Sequence, residues 1–203
     1  MRKLFLAVAF AALPQAASAV TVDRIAAVID QEVLTVSEVG QMADVRFFPR
    51  VAGQSDDDYR RAILDALIAQ ALRLRDLERF GAPDVPLDAI ELRLQQIQNR
   101  FASPEEFRAA LESAELTLEE LRTLIKRQLQ VELYIQDRFA PLVFVPAEEI
   151  EQYYRTTGNQ QRPLEAVREE IRELLRAQRL SQDVERWTTR LRVRANVDVY
   201  AWR

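Results

Sequence analysis

The chain has 203 residues with neither cysteine nor histidine, and its 28 basic and 32 acidic residues give a formal net charge of −4 at pH 7. These two absences exclude a disulfide framework, a cysteine nucleophile, a Ser-His-Asp triad and an ordinary zinc site. A glycine-rich phosphate loop is also missing, and the acidic balance argues against a nucleic-acid partner. We therefore expect no catalytic residues, no metal, no cofactor and no nucleic-acid binding.

Residues 1–19 have the three parts of a secretion signal. Arg2 and Lys3 precede an apolar stretch over residues 4–13, and Ala-Ser-Ala at residues 17–19 forms a small-residue cleavage site. The apolar stretch is too short to cross a bilayer, which takes about 20 residues. We expect a signal peptide cleaved after residue 19 and an exported product without a permanent membrane anchor.

The next elements are predicted to be two short strands and a helix. Residues 25–29 form a continuous apolar run, and residues 33–36 supply a returning strand. Asp30 and Gln31 between them are the turn candidates. Ser37 is predicted to cap the helix that follows.

Four helices are predicted in the middle of the chain from apolar residues at helical spacing. Ser55 caps a long helix that stops at Gly81, and a further helix uses residues 90–101. Ser103 and Thr117 each open a capping box, and the helix from Thr117 ends near a proline at position 141. The chain is therefore predicted to be mainly helical.

The last part of the chain predicts two helices and a strand. Pro146 starts a short helix that contains the sequence EIEQYY, and residues 163–191 form a long amphipathic helix. Residues 193–199 alternate strictly between apolar and polar side chains, which is typical of a half-buried strand.

The order and motifs of these elements resemble the SurA N-terminal-domain-like periplasmic chaperones, a group of SurA-, PrsA- and PpiD-like proteins. Residues 23–30 match a D-[KR]-[IV]-A-A-V-[IV]-[ND] strand, and residues 35–39 match a [ST]-x-S-[ED]-[VI] helix entry. Residues 144–154 match an F-V-x-x-x-E-[IV]-x-x-Y-Y entry. The resemblance implies a helical bundle with a small β-sheet, in which the C-terminal strand pairs with the N-terminal strand-turn-strand.

The same resemblance implies how the chain is divided. Residues 20–203 would form one SurA N-terminal-like chaperone domain, with strands and helices in residues 20–140 and closing helices and strand in residues 141–203. Larger members carry a parvulin-type prolyl isomerase domain of about 90 residues between the EIxxYY helix and the last helix. Here residues 155–162 supply only eight residues, and the histidines of the parvulin site are absent.

By resemblance, the protein is predicted to be a periplasmic holdase that binds unfolded envelope or outer-membrane proteins without ATP and without enzymatic activity. Six aromatic side chains near helix ends are candidates for client contact, because they could line an open cradle between the middle helices and the sheet. These are Phe47, Phe48, Phe101, Phe107, Tyr134 and Phe139. The alternative is that they are ordinary core. If they contact clients, replacing Phe47 and Phe48 by serine weakens binding with little loss of stability.

Other functions stay open at this point. The same bundle could be a dedicated scaffold for one secretion or envelope machine, which would bind a single partner rather than many unfolded chains. Paired glutamates at 105/106, 119/120 and 148/149 could serve a carboxylate hydrolase, although their place in predicted first helical turns favours helix capping. A homodimer is a further option, because the long helical excursion could embrace a second copy.

Overall fold

The computed structural model describes residues 23–157 and 162–200, which hold seven α-helices and three strands. The predicted signal peptide lies outside the described residues. In chain order the elements are β1 (Ile25–Ile29), β2 (Glu32–Thr35), α1 (Val36–Asp44), α2 (Asp56–Glu78), α3 (Leu87–Gln98), α4 (Pro104–Ser113), α5 (Leu118–Arg138), a 3-10 turn (Ala140–Leu142), α6 (Ala147–Thr156), α7 (Leu164–Arg194) and β3 (Val197–Val199). The predicted fold class, mainly helical with a small sheet, is confirmed.

The three strands form one antiparallel sheet in the order β2-β1-β3. β1 and β2 are joined by the two-residue turn at Asp30 and Gln31, where Asp30 takes a left-handed backbone conformation with φ of 54°. β3 pairs with β1 on the other side, with Val199 opposite Ala27. The predicted pairing of the two ends of the chain is therefore confirmed.

Two predicted boundaries are wrong. The cap of α1 is Thr35 rather than Ser37: its hydroxyl accepts the N–H of Glu38, whose carboxylate accepts the Thr35 N–H at 2.7 Å. The last strand begins at Val197 rather than at residue 193, because α7 continues to Arg194. An alternating pattern of a few residues is also compatible with the exposed last turn of a helix.

The predicted caps of α2, α4 and α5 are present, since Ser55, Ser103 and Thr117 each accept an N–H from three residues further on. At α5 the box is reciprocal, as predicted. At α4 it is not, because the Glu106 carboxylate instead binds the Ala102 N–H and the Arg46 guanidinium, each at 2.7 Å.

The main hydrophobic core lies around α2, which contacts the sheet, α1, α5 and α7. Its fully buried side chains include Ile63, Ile68 and Leu77 of α2 and Ile125 of α5. A second, small core joins α6 to the first half of α7 through Ile150, Val167, Ile171 and Leu175. The 31-residue α7 is about 46 Å long at 1.5 Å per residue, so it reaches from one core to the other.

Candidate functional site

Most of the aromatic side chains predicted to contact clients belong to the main core. The buried members are Phe47, Phe101, Phe107 and Tyr134. The half-buried members are Phe48 and Phe139. Four of the six aromatic side chains are therefore ordinary core residues in this conformation, as the alternative interpretation predicts. Client contact by any of them stays a prediction, and only Phe48 and Phe139 offer accessible surface for it.

The loop after α1 shows why Phe47 is buried. Arg46 adopts a left-handed conformation with φ of 50°, and this turns the chain back so that the Phe47 N–H donates to the Met42 carbonyl at 2.9 Å. Arg100 fixes the loop by donating to the Phe47 carbonyl at 2.7 Å, while burial lowers the pKa of its guanidinium. Phe47 thus points inward and meets the Phe48 ring edge to face, with centroids 5.1 Å apart.

The other predicted aromatic residues are closed in by each other and by residues distant in sequence. Phe101 and Phe107 meet edge to face at 5.5 Å between centroids, and the Arg46 guanidinium covers the Phe101 ring at 4.2 Å. Tyr134 and Phe139 both pack on Trp187 of α7. A contact that spans about fifty residues of sequence leaves no local pattern from which it could be predicted.

A groove does lie between the middle helices and the sheet, where the cradle was expected, but different side chains line it. It has a volume of about 340 Å³ and runs between β2, α1, α2 and α5; we call it the leucine groove. Its apolar lining is Leu34, Met42, Leu67, Ala71, Leu74, Leu116 and Leu124. Its polar rim is Glu32, Glu38, Gln41, Gln70, Glu120, Thr123 and Arg127.

The leucine groove follows from the spacing of apolar residues on α2. The helix buries Ile63, Ile68 and Leu72 in the core, and it carries Leu67 and Leu74 on an adjacent strip that is only half-buried. The apolar face of α2 is therefore wider than the surface that the neighbouring elements cover. The sequence of α2 indicates a wide apolar face, because it has more leucines than a single core-facing stripe requires. The pattern does not indicate which of these leucines remain partly exposed.

The rim of the groove is acidic, with three glutamates against one arginine. Two of these glutamates also cap helices: Glu38 binds the Thr35 N–H, and Glu120 binds the Thr117 N–H at 2.8 Å. The hydrogen bond from the Thr117 backbone lowers the pKa of Glu120 below its ordinary value. The groove therefore offers an apolar floor under a negatively charged border.

A second pocket, of about 400 Å³, lies where α2, α5 and α7 end. Phe139, Phe80 and Trp187 line it together with arginines from α5 and α7. Trp187 is held in place by an indole N–H that donates to Asp76 at 3.0 Å. This pocket has a basic border, in contrast to the leucine groove.

The paired glutamates are the sequence-predicted candidates for carboxylate chemistry. Among the described residues, no group of three potential ligands could hold a metal ion. Five of the six glutamates in these pairs make structural contacts: Glu105 binds Arg108, Glu106 binds Arg46, Glu119 binds Arg122, Glu149 binds Arg179, and Glu120 caps α5. The apolar lining of the leucine groove is suited to binding apolar side chains.

No protein-family model matches the chain. Among curated proteins, "Chaperone SurA" of Alkalilimnicola ehrlichii is 30% identical over 152 residues, which are 72% of this chain and 35% of that protein. "Chaperone SurA" of Saccharophagus degradans is 26% identical over 162 residues, 77% of this chain and 38% of that protein. A third, from Chromohalobacter salexigens, is 27% identical over 142 residues, 67% of this chain and 32% of that protein.

The chain thus spans little more than a third of the length of the curated relatives that it matches. The strand-turn-strand, the helix order and the closing strand are all present in the described fold. Between α6 and α7 there are only seven residues, which leaves no room for a parvulin domain at that point. The chain belongs to the SurA chaperone family, as a SurA N-terminal-domain-like member without the parvulin insertion between its last two helices.

Proposed function

We propose that this protein is a holdase chaperone that binds unfolded envelope or outer-membrane proteins in the periplasm without ATP, and that clients bind in the leucine groove. The observation that carries the proposal is an open apolar groove with a charged rim in a relative of the SurA chaperones. Such a surface is what a protein needs to shield apolar segments of another chain from water.

The size of the groove suits short segments of a client. Pockets for small ligands range over about 300–1,000 Å³, and the leucine groove is at the lower end of that range. Covering one leucine-sized side chain contributes about 1.5–3 kcal/mol, whereas association costs at least about 4 kcal/mol in lost freedom. Two or three inserted side chains therefore give weak binding and fast release, as a holdase without ATP requires.

The proposed location rests on the signal-like residues 1–19 and on the relationship to SurA. None of the helices in the described ranges is long and apolar enough to cross a membrane. We further propose that residues 20–203 act as one chaperone domain and that it has no prolyl isomerase activity. A proline-isomerisation assay on a test peptide checks the last point, since acceleration that scales with protein concentration would contradict it.

The test of the holdase proposal compares aggregation of several unrelated unfolded proteins with and without the chain. The double variant Leu67→Ser, Leu124→Ser removes two half-buried leucines from facing sides of the groove. We expect it to lose most of the protection. The matched control is Leu92→Ser on α3, which removes a leucine that is 58% exposed and does not line the groove.

The control variant is expected to protect clients like the unchanged protein. Equal protection by the groove variant and the control, with both folded by circular dichroism, would overturn the assignment of the groove. Protection of no unfolded protein, together with one stoichiometric folded partner, would favour the scaffold alternative instead. The possible homodimer stays a prediction, which analytical ultracentrifugation of the same samples tests.

A further inference from the structure

The outer edge of β2 forms one wall of the leucine groove, and no strand of the described residues pairs with it. We propose that a client segment binds by adding to this edge as an antiparallel fourth strand, with its apolar side chains in the groove. The inference rests on the proposed function of the groove and specifies how the groove recognises a chain.

The hydrogen-bond pattern shows which backbone groups of β2 face outward. The two-residue turn makes Ile29 and Glu32 a bonded pair, so the next pair, Val28 and Val33, is a non-bonded one. The bonds to β3 confirm the alternation, since the Tyr200 N–H donates to Ala26 at 2.9 Å, and Ala26 shares the edge of β1 with Val28. The N–H and C=O of Val33 therefore point away from β1.

Val33 is the accessible centre of this edge, with 45% of its surface exposed. The next outward N–H, that of Thr35, already donates to the Glu38 carboxylate at 2.7 Å. A client strand thus gains its two main-chain hydrogen bonds from Val33 alone. Because each such bond contributes only modestly, the edge orients a segment and the groove supplies most of the affinity.

The faces of the sheet determine which client side chains enter the groove. Leu34 shares a face with Ala27, opposite it on β1, and both are buried toward the helices. A strand beside β2, about 4.8 Å away, continues this face over Leu67 and Leu74. The client residue that bonds to Val33 then points to solvent, and the residues before and after it point into the groove.

The charge of the rim adds a second requirement. Glu32, Glu38 and Glu120 face the opening with Arg127 as the one basic residue of the rim. A segment with lysine or arginine beside its apolar residues complements this border, whereas an acidic segment is repelled. The occupant is therefore an extended segment of unfolded polypeptide that has two apolar residues separated by one other residue and basic flanks.

The contrasting explanation is that the edge is merely a protected strand end. β2 has only four residues and begins with a glutamate, and short charged edges discourage strand pairing. That explanation predicts that backbone hydrogen bonding does not affect peptide affinity. The two explanations therefore predict different effects of a peptide backbone modification on peptide affinity.

The test uses the acetylated and amidated peptide KTLSLTK, labelled for fluorescence anisotropy, and the full chain. N-methylation of the central serine removes the N–H that faces Val33, and we expect roughly tenfold weaker binding. N-methylation of the second leucine alters an N–H on the opposite edge and is the matched control, with affinity close to that of the parent peptide. The acid-flanked peptide ETLSLTE is expected to bind several-fold more weakly at low salt.

A direct readout is hydrogen exchange, in which the Val33 amide is expected to become protected when the parent peptide binds. Equal affinity of the two N-methylated peptides, with no protection at Val33, would overturn strand addition. The Leu67→Ser, Leu124→Ser variant separates this failure from failure of the proposed function. If that variant still weakens binding of the parent peptide, the groove stands and the strand does not; if it has no effect either, the groove itself is rejected.

Discussion

The leucine groove and the aromatic clusters contain side chains of similar hydrophobicity, yet four of the six predicted aromatic residues are buried, whereas Leu67, Leu74 and Leu124 of the groove are half-buried. The loop after α1 turns back at Arg46 and buries Phe47, and α7 covers Tyr134. Leu67 and Leu74, beside the edge of β2, are only partly covered by the described elements. The exposure of an apolar residue therefore depends on which element lies opposite it rather than on the size of its side chain.

The largest expected effect is the loss of stability on substitution of a buried aromatic residue. Phe47→Ser removes a side chain that is 3% exposed, and we expect a loss of about 3–5 kcal/mol in the free energy of unfolding, because the core cannot fill the space. Phe48→Ser, at a half-buried neighbour, is expected to cost less than half as much. Urea denaturation of the two variants measures both values.

This prediction reverses the expectation drawn from the sequence for Phe47, which was little loss of stability. A small change for Phe47→Ser would show that the ring is not part of the core in solution. In that event the aromatic cluster, and not only the leucine groove, would regain its place as a client surface.

For the leucine groove we expect the opposite balance, in which a substitution weakens client protection more than it lowers stability. Leu67→Ser is expected to cost about 1–2 kcal/mol, because the side chain is half-buried and leaves a widened groove rather than a closed cavity. Its main effect is then on client protection, measured in the aggregation assay. A stability loss as large as that of Phe47→Ser would mean that the floor of the groove belongs to the core.

The helices and strands could be predicted because their signals are local, whereas the pairing of β3 with β1 was implied by the family resemblance. The apolar run at Ile25–Ile29, the capping residues Ser55 and Thr117, and the apolar spacing on the helices each determine an element within a few residues. Even the end of α7 was missed by only one turn, since the alternation from Val193 onward fits both a helix end and a strand.

The location of the candidate site could be predicted from the sequence, but the residues that line it could not. A cradle between the middle helices and the sheet was part of the hypothesis drawn from the family resemblance, whereas the lining of the groove depends on where α2, α5 and β2 lie relative to one another. Phe139 and Trp187 meet across nearly fifty residues, and no pattern around either residue indicates the other. The sequence pattern therefore did not indicate that four of the six aromatic residues are buried, and client contact by any of them stays a prediction.

A smaller effect tests whether the groove depends on the cap of α5. Thr117→Ala removes the hydroxyl that accepts the Glu120 N–H at 3.2 Å, and we expect a loss of about 1 kcal/mol in stability. The first turn of α5 carries Glu120 at the groove rim, so faster hydrogen exchange should appear there and not around Phe101. Uniform exchange across both regions would contradict a local role of the cap.

The smallest effect is the pH dependence of the same cap. The hydrogen bond from the Thr117 backbone lowers the pKa of Glu120 in the folded protein below its ordinary value of 4.5. A carboxylate with a lowered folded pKa contributes stability above its unfolded pKa, and this contribution is lost as the pH falls through the folded pKa.

Glu120→Gln is therefore expected to be less stable than the unchanged protein at neutral pH and to lose less stability on acidification below pH 4.5. The control is Glu112→Gln, an exposed residue at the end of α4 that should leave the pH profile closer to that of the unchanged protein. Parallel profiles for all three proteins would show that the Glu120 carboxylate is not bound to the cap. In that case the rim of the groove at Glu120 would be more mobile than the hydrogen bond between the Thr117 N–H and the Glu120 carboxylate implies, and the groove would be less ordered than the packed aromatic core.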